Sequence, residues 1–203
     1  MRMKSSLKML LAGILTSGVA AIYAANDDHK VGEFGSTVLE NAAELEGDTE
    51  AWWDIGVCYR DGLGVKKDMK KALQWFEKAA NRNYDNACVS LGDLYYYGQE
   101  VKQDYKKAFE LYSRALRRNL PDAQYRLGLC NYLGHGTKQN KTLAVEWFKK
   151  AADQLEPNSQ YMLGECYEKG EGVKKDLAKA KEYYKKAAEA KHEQAIAALK
   201  RLK

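Results

Sequence analysis

Glycine recurs every 36 residues along this 203-residue chain. Gly56, Gly92, Gly128 and Gly164 form one column, and Gly62, Gly98, Gly134 and Gly170 form a second. Ala72, Ala108, Ala144 and Ala180 form a third, and Ala79, Ala115, Ala151 and Ala187 a fourth. Glycine makes up about 7% of residues on average, so one such column, given its first member, has odds of about 1 in 3,000. Several columns in register mean stacked supersecondary units. A stack of helical pairs offers an extended surface rather than one enclosed pocket, and its usual work is to hold other molecules.

The first 24 residues stand outside the repeat. Arg2, Lys4 and Lys8 precede an uncharged, mostly apolar run from Met9 to Ile22, and a small residue, Ala24, stands before Ala25. This pattern reads as a signal peptide covering residues 1–24. The run is shorter than the roughly 20 residues that a bilayer requires, so no membrane span is expected after cleavage; an uncleaved anchor is the alternative. Removing the segment lowers the net charge from +5 to +2, since it holds three basic residues and no acidic one. Nothing in so balanced a bulk charge argues for nucleic acid, whose binders usually show a concentrated basic face. The expected location is periplasmic or secreted.

Residues 50–85 exemplify one unit. Ala51, Ile55, Cys58 and Tyr59 follow helical spacing. Gly56 falls inside that helix, where glycine costs about 1 kcal/mol relative to alanine; close approach of a partner helix is the expected reason. Gly62-Leu63-Gly64 ends the helix, because glycine accepts the left-handed conformation. Asp68, like Asp104, Asn140 and Asp176 one period apart, is placed to cap the next helix. Ala72, Trp75, Phe76, Ala79 and Ala80 then give a second apolar stripe. The expected organisation is a segment with a capping helix over 25–49, four repeats over 50–190 (about 50–85, 86–121, 122–157 and 158–190), and a capping helix over 191–203. Phe34 to Leu45 reads as an unpaired second helix, and Glu193 to Leu202 as an unpaired first one.

The strings LGLCNYLGHGTKQNKTLAVEWFKKAA and LGECYEKGEGVKKDLAKAKEYYKKAA closely resemble the Sel-1-like repeat, a relative of the tetratricopeptide repeat. The resemblance covers about residues 50–190. It implies an all-α, right-handed superhelical solenoid of helix-turn-helix repeats, and an adaptor role, often in bacterial envelopes or secretion. Unit two departs at Glu100 and Leu94, and unit three at Asn131 and Thr137. A secreted, cysteine-rich branch of the family carries two cysteines around each interhelix link; here only Cys88 matches such a place, and its partner position is Ala80.

Cys58, Cys130 and Cys166 instead share one repeat position. Equivalent positions in neighbouring units lie about 8–10 Å apart, beyond the roughly 7 Å that a disulfide spans. Four reduced, buried thiols are expected, with a bridge or a redox role as the alternative. His29, His135 and His192 share no turn or face, so no metal site is expected. The Ser-x-x-Lys at Ser5 to Lys8 lies in the leading segment, leaving the mature chain without that hydrolase motif. The Gly-x-Gly turns follow helices, the wrong end for holding a phosphate. No catalytic residue and no cofactor are expected.

Two surfaces stand out. Units two and three place Tyr96, Tyr97, Leu129, Tyr132 and Leu133 on the first helix of each pair, where units one and four carry Arg60, Asp61, Glu168 and Lys169. An apolar patch flanked by charge is a typical contact surface; packing between units is the alternative. Lys66, Lys102, Lys138 and Lys174 repeat in one turn and could meet an anionic polymer, or simply keep that edge solvated. The sequence thus points to an exported, non-enzymatic adaptor that binds a protein or peptide on the concave surface of its first helices. A cell-wall-related or β-lactam-binding protein, like the cysteine-rich relatives, is the alternative.

Overall fold

A computed structural model describes residues 48–63 and 65–202. The leading segment, the Phe34–Leu45 helix and His29 lie outside them. Among the described residues all regular structure is helical: α1 (Thr49–Asp61), α2 (Met69–Asn81), α3 (Asp85–Tyr97), α4 (Tyr105–Arg114), α5 (Pro121–Leu133), α6 (Lys141–Ala152), α7 (Pro157–Lys169), α8 (Leu177–Glu189) and α9 (Glu193–Arg201). A 3-10 turn, Ala115–Arg118, extends α4. The odd-numbered helices are the first of each repeat, here called A, and the even-numbered ones are B. The chain divides into two compact units between Ala87 and Cys88.

The boundaries follow from local chemistry. Asp68, Asp104, Asn140 and Asp176 each accept a backbone N–H three residues on, from Lys71, Lys107, Leu143 and Lys179. Each thereby satisfies a donor that has no partner inside its helix. Pro121 and Pro157 open α5 and α7, where the missing N–H costs nothing. Gly62, Gly134 and Gly170 end their helices in the left-handed conformation. A second left-handed column has no glycine: Asn83, Asn119, Leu155 and Lys191 all have φ between 56° and 65° in the links after helix B.

In the first unit α1 packs on α2. The core is Trp52, Ile55, Cys58, Ala72, Trp75, Phe76 and Ala79. A Cβ on Gly56 would lie 2.5 Å from the Phe76 ring, so the column glycine lets the aromatic of helix B sit against the helix A backbone. The second unit repeats this with Gly92 and Tyr112, Gly128 and Phe148, and Gly164 and Tyr184. One continuous core joins Phe148, Leu163, Cys166, Tyr184, Ala187 and the α9 residues Ala195 and Ala198. The expected terminal helix is therefore present as α9, with His192 as its N-cap.

Ser159 breaks a small-residue column. Ala51, Ala87 and Ala123 occupy its position in the other repeats. Its hydroxyl is buried and has no hydrogen-bond partner among the described residues. A buried polar group without a partner costs about 1–3 kcal/mol. Ser159→Ala is therefore expected to raise the urea midpoint, corresponding to about 1 kcal/mol; an unchanged or lower midpoint would show that the hydroxyl is satisfied in solution.

Candidate binding surface

Helix A residues three and four apart share one face. In the second unit that face carries Asp93 and Tyr97 on α3, then Asp122, Tyr125, Arg126, Leu129 and Leu133 on α5, then Tyr161, Glu165 and Lys169 on α7. Tyr97 is 52% exposed and Leu133 45%. Leu129 and Tyr125 are half-buried against the core shared by repeats three and four.

A polar pair crosses this face. Arg126 Nη2 donates to Asp93 Oδ2 at 2.8 Å, and Arg126 Nη1 reaches Tyr97 Oη at 3.3 Å. Tyr112 Oη, from α4, donates to Asp93 Oδ1 at 2.7 Å. Burial raises the Asp93 carboxyl above its ordinary pKa, while Arg126 and Tyr112 oppose that shift. Partial burial and the neighbouring Glu156 also raise Asp122, with Arg126 again opposing. A related pair closes the C-terminal end, where Arg201 grips both Glu168 oxygens at 2.6 and 2.8 Å. Each pair is 33 residues apart, one period less three.

Tyr96 and Tyr132 occupy the same column but do a different job. Tyr96 Oη lies 2.9 Å from His135 Nδ1, and His135 stacks on Tyr105 with ring centroids 4.1 Å apart. Tyr132 Oη donates to Glu171, which also takes Lys141 Nζ at 2.7 Å. Those bonds to Lys141 and Tyr132 hold the Glu171 carboxyl below the usual range. His135 and Glu171 stand between the two glycines of their turns, so each turn fastens back onto the preceding repeat. Of the five residues picked from the sequence, then, Tyr97 and Leu133 project into solvent, and Tyr96, Leu129 and Tyr132 are half-buried. Asp93 and Arg126 were missed. Their signal was a carboxylate and a guanidinium at the 33-residue offset.

The lysines at 66, 102, 138 and 174 are all exposed. No group of three or more His, Cys, Asp and Glu among the described residues could hold a metal ion, and no described helix is long and apolar enough to cross a membrane. All four cysteines are buried, and no disulfide joins any of them among the described residues. Burial first, then nearby carboxylates, pushes the Cys58 thiol to about 11. Burial pushes Cys130 and Cys166 to about 12. Since the thiolate is the reactive form, Ellman's reagent at pH 8 is expected to leave the native protein unlabelled and to titrate all four thiols in guanidinium. Reaction of three or more in the native state would refute their burial.

The Sel1 repeat model matches four times, over residues 50–84, 85–120, 121–154 and 157–192. The chain belongs to the Sel1 repeat family. Among solved structures, this Sel1 repeat chain is similar to a protective antigen of uropathogenic Escherichia coli displaying an SLR fold, at 36% identity and a TM-score of 0.72. That match covers 79% of this chain and 34% of the antigen. A Sel1 repeat protein of Oxalobacter formigenes matches at 32% identity and a TM-score of 0.71, over 79% of this chain and 65% of that one. The chain thus spans about a third of the first relative and less than two thirds of the second. Cysteine-rich protein B of Helicobacter pylori matches at 29% identity and a TM-score of 0.50, over 63% of this chain and 96% of its own. No curated protein gives a significant match.

Proposed function

We propose that this Sel1 repeat chain is an exported, non-enzymatic scaffold that holds a protein or peptide along the concave, helix A side of repeats two to four. Sel1 repeats commonly serve as protein-interaction scaffolds. The observation that carries the reading is the pair of exposed side chains Tyr97 and Leu133, one period apart, beside the Asp93–Arg126 pair. Tyrosine and arginine are the residues most enriched at binding hot spots. A ready-made charge pair next to apolar side chains gives a partner both orientation and contact area. Leu129 supports the patch from below, and Tyr96 and Tyr132 flank it while holding adjacent repeats together. Export rests on residues 1–24. The β-lactam-binding alternative draws on the cysteine-rich branch, whose paired cysteines have no counterpart among these four buried cysteines.

Peptides selected from a displayed library against the chain from residue 25 onward provide the test. Tyr97→Ala and Leu133→Ala should each weaken the selected peptides by more than about 1 kcal/mol, the customary hot-spot threshold, with unchanged melting temperature. Selected peptides that bind both variants as well as the parent would place the site elsewhere.

A further inference from the structure

The near-neutral total hides a separation of charge. Residues 25–87 hold 8 Lys and Arg against 13 Asp and Glu. In the second unit the helix A segments (88–97, 121–133, 157–169 and 193–201) hold 4 basic against 5 acidic residues. The turns, B helices and links between them (98–120, 134–156 and 170–192) hold 17 against 10. Several of those acids are already committed. Asp104, Asp176 and Glu156 cap helices, and Glu171 binds Lys141. The basic residues are less engaged. Lys102, Lys138 and Lys174 in the turns, and Lys149 and Lys185 on α6 and α8, are exposed and make no ion pair among the described residues.

Four further ammonium groups are held over aromatic rings. Lys107 Nζ lies 3.9 Å from the Tyr95 ring centroid, Lys150 4.3 Å from Trp147 and Lys179 5.4 Å from Tyr167; Lys186 lies 5.1 Å from Tyr183 and is also paired with Glu182 at 2.7 Å. A ring beneath a lysine reduces the side-chain freedom lost when an anion binds. Because the repeats stack, equivalent cations recur once per repeat along the unit. That is a row matched to a linear polymer with charge along its backbone.

We propose that the helix B side of the second unit, from Lys102 to Lys186, binds a linear anionic polysaccharide. This surface is separate from the helix A patch and does not depend on it. Charge is the means of recognition. The rings beneath the lysines are part of the packing and already carry their own cations, so they offer no open face on which nucleic-acid bases could stack. A bilayer would need an apolar cluster to insert. The large apolar side chains exposed among these segments, Leu155 and Leu177, sit in a link and at a helix start, at opposite ends of the B helices.

The test uses a fluorescent heparin dodecasaccharide and the chain from residue 25 onward. Binding should weaken at least tenfold between 50 and 200 mM salt, as for a contact made mainly of charges. The double variant Lys149→Gln/Lys185→Gln should lose about fivefold or more in affinity. Lys169→Gln/Lys200→Gln removes the same charge from helix A and should lose less than twofold. Equal losses in the two variants would overturn the proposal by reducing it to net charge. So would absence of binding at 50 mM salt. Tighter binding of a single-stranded DNA of equal charge, or of anionic vesicles, would overturn it in favour of those partners. Peptide binding at Tyr97 should survive Lys149→Gln/Lys185→Gln, which separates failure here from failure of the scaffold reading.

Discussion

Gly128→Leu should lower the stability of the protein by about 3 kcal/mol, at the upper end of the usual cost of overpacking a core. A Cβ at that position would stand 2.5 Å from Phe148 Cδ1. Phe148 is fully buried, so its ring has no empty volume to enter. Leucine gains somewhat in helix propensity over glycine, by less than about 1 kcal/mol, and that gain is too small to offset the clash. A double-mutant cycle isolates the contact. Phe148→Ala alone should cost about 3–5 kcal/mol, and adding Gly128→Leu should then cost far less than in the parent, because the new side chain can occupy the space left by the ring. Urea unfolding of the four proteins measures the coupling. Additive losses would mean that glycine is required for some reason other than the ring. The contact also reaches helix A side chains. In repeats two and four the ring is a tyrosine, and its hydroxyl crosses to Asp93 or Glu168 on helix A. The glycine columns thus set how close the aromatic comes, and that closeness decides whether a helix A carboxylate is held in place.

The fold was legible in the sequence because its determinants repeat. Four glycines at one position, four capping side chains at another, and paired alanines each report the same local requirement four times. The terminal helix α9 was readable for the same reason, since Ala195 keeps the register. The left-handed column at Asn83, Asn119, Leu155 and Lys191 was not readable. Glycine is the usual marker of that conformation, and leucine or lysine there carries no local signal. The candidate face on helix A was legible only in part. Contrast between repeats picked out Tyr97 and Leu133, which the structure places as exposed side chains of helix A. It could not distinguish them from Tyr96 and Tyr132, because the column pattern is alike and the difference lies in what the next turn supplies. His135 and Glu171 differ in type, so their shared role in reaching back one repeat does not appear as a column. Asp93 and Arg126 were hidden because a 36-residue alignment compares residues in equivalent positions, whereas side chains that touch across repeats are offset from it by three.

That offset explains why the turn glycines differ in consequence. Gly172→Ala is expected to cost about 3 kcal/mol and Gly170→Ala only about 1, although both glycines are left-handed, with φ of 70° and 75°. Both changes incur the penalty for a Cβ in that conformation, roughly 1 kcal/mol. At Gly170 the nearest atom to an added Cβ is the Lys175 Cβ at 3.2 Å, which can give slightly. At Gly172 an added Cβ would meet backbone of the preceding repeat, 2.5 Å from the Lys141 carbonyl carbon and 3.0 Å from Thr142 N. These atoms open α6 and cannot retreat without moving the helix. Glu171, next in the chain, is bound to Lys141 and Tyr132 across the same gap, so relaxation of the turn would break those bonds as well. Glu100 shows that the conformation alone is tolerable, since it sits at φ 59° in the equivalent place. Thermal unfolding of the two alanine variants should therefore show Gly172→Ala melting well below Gly170→Ala. Equal melting temperatures would mean that the turn is free of the preceding repeat in solution, and that the Glu171 contacts do not fasten repeat four onto repeat three.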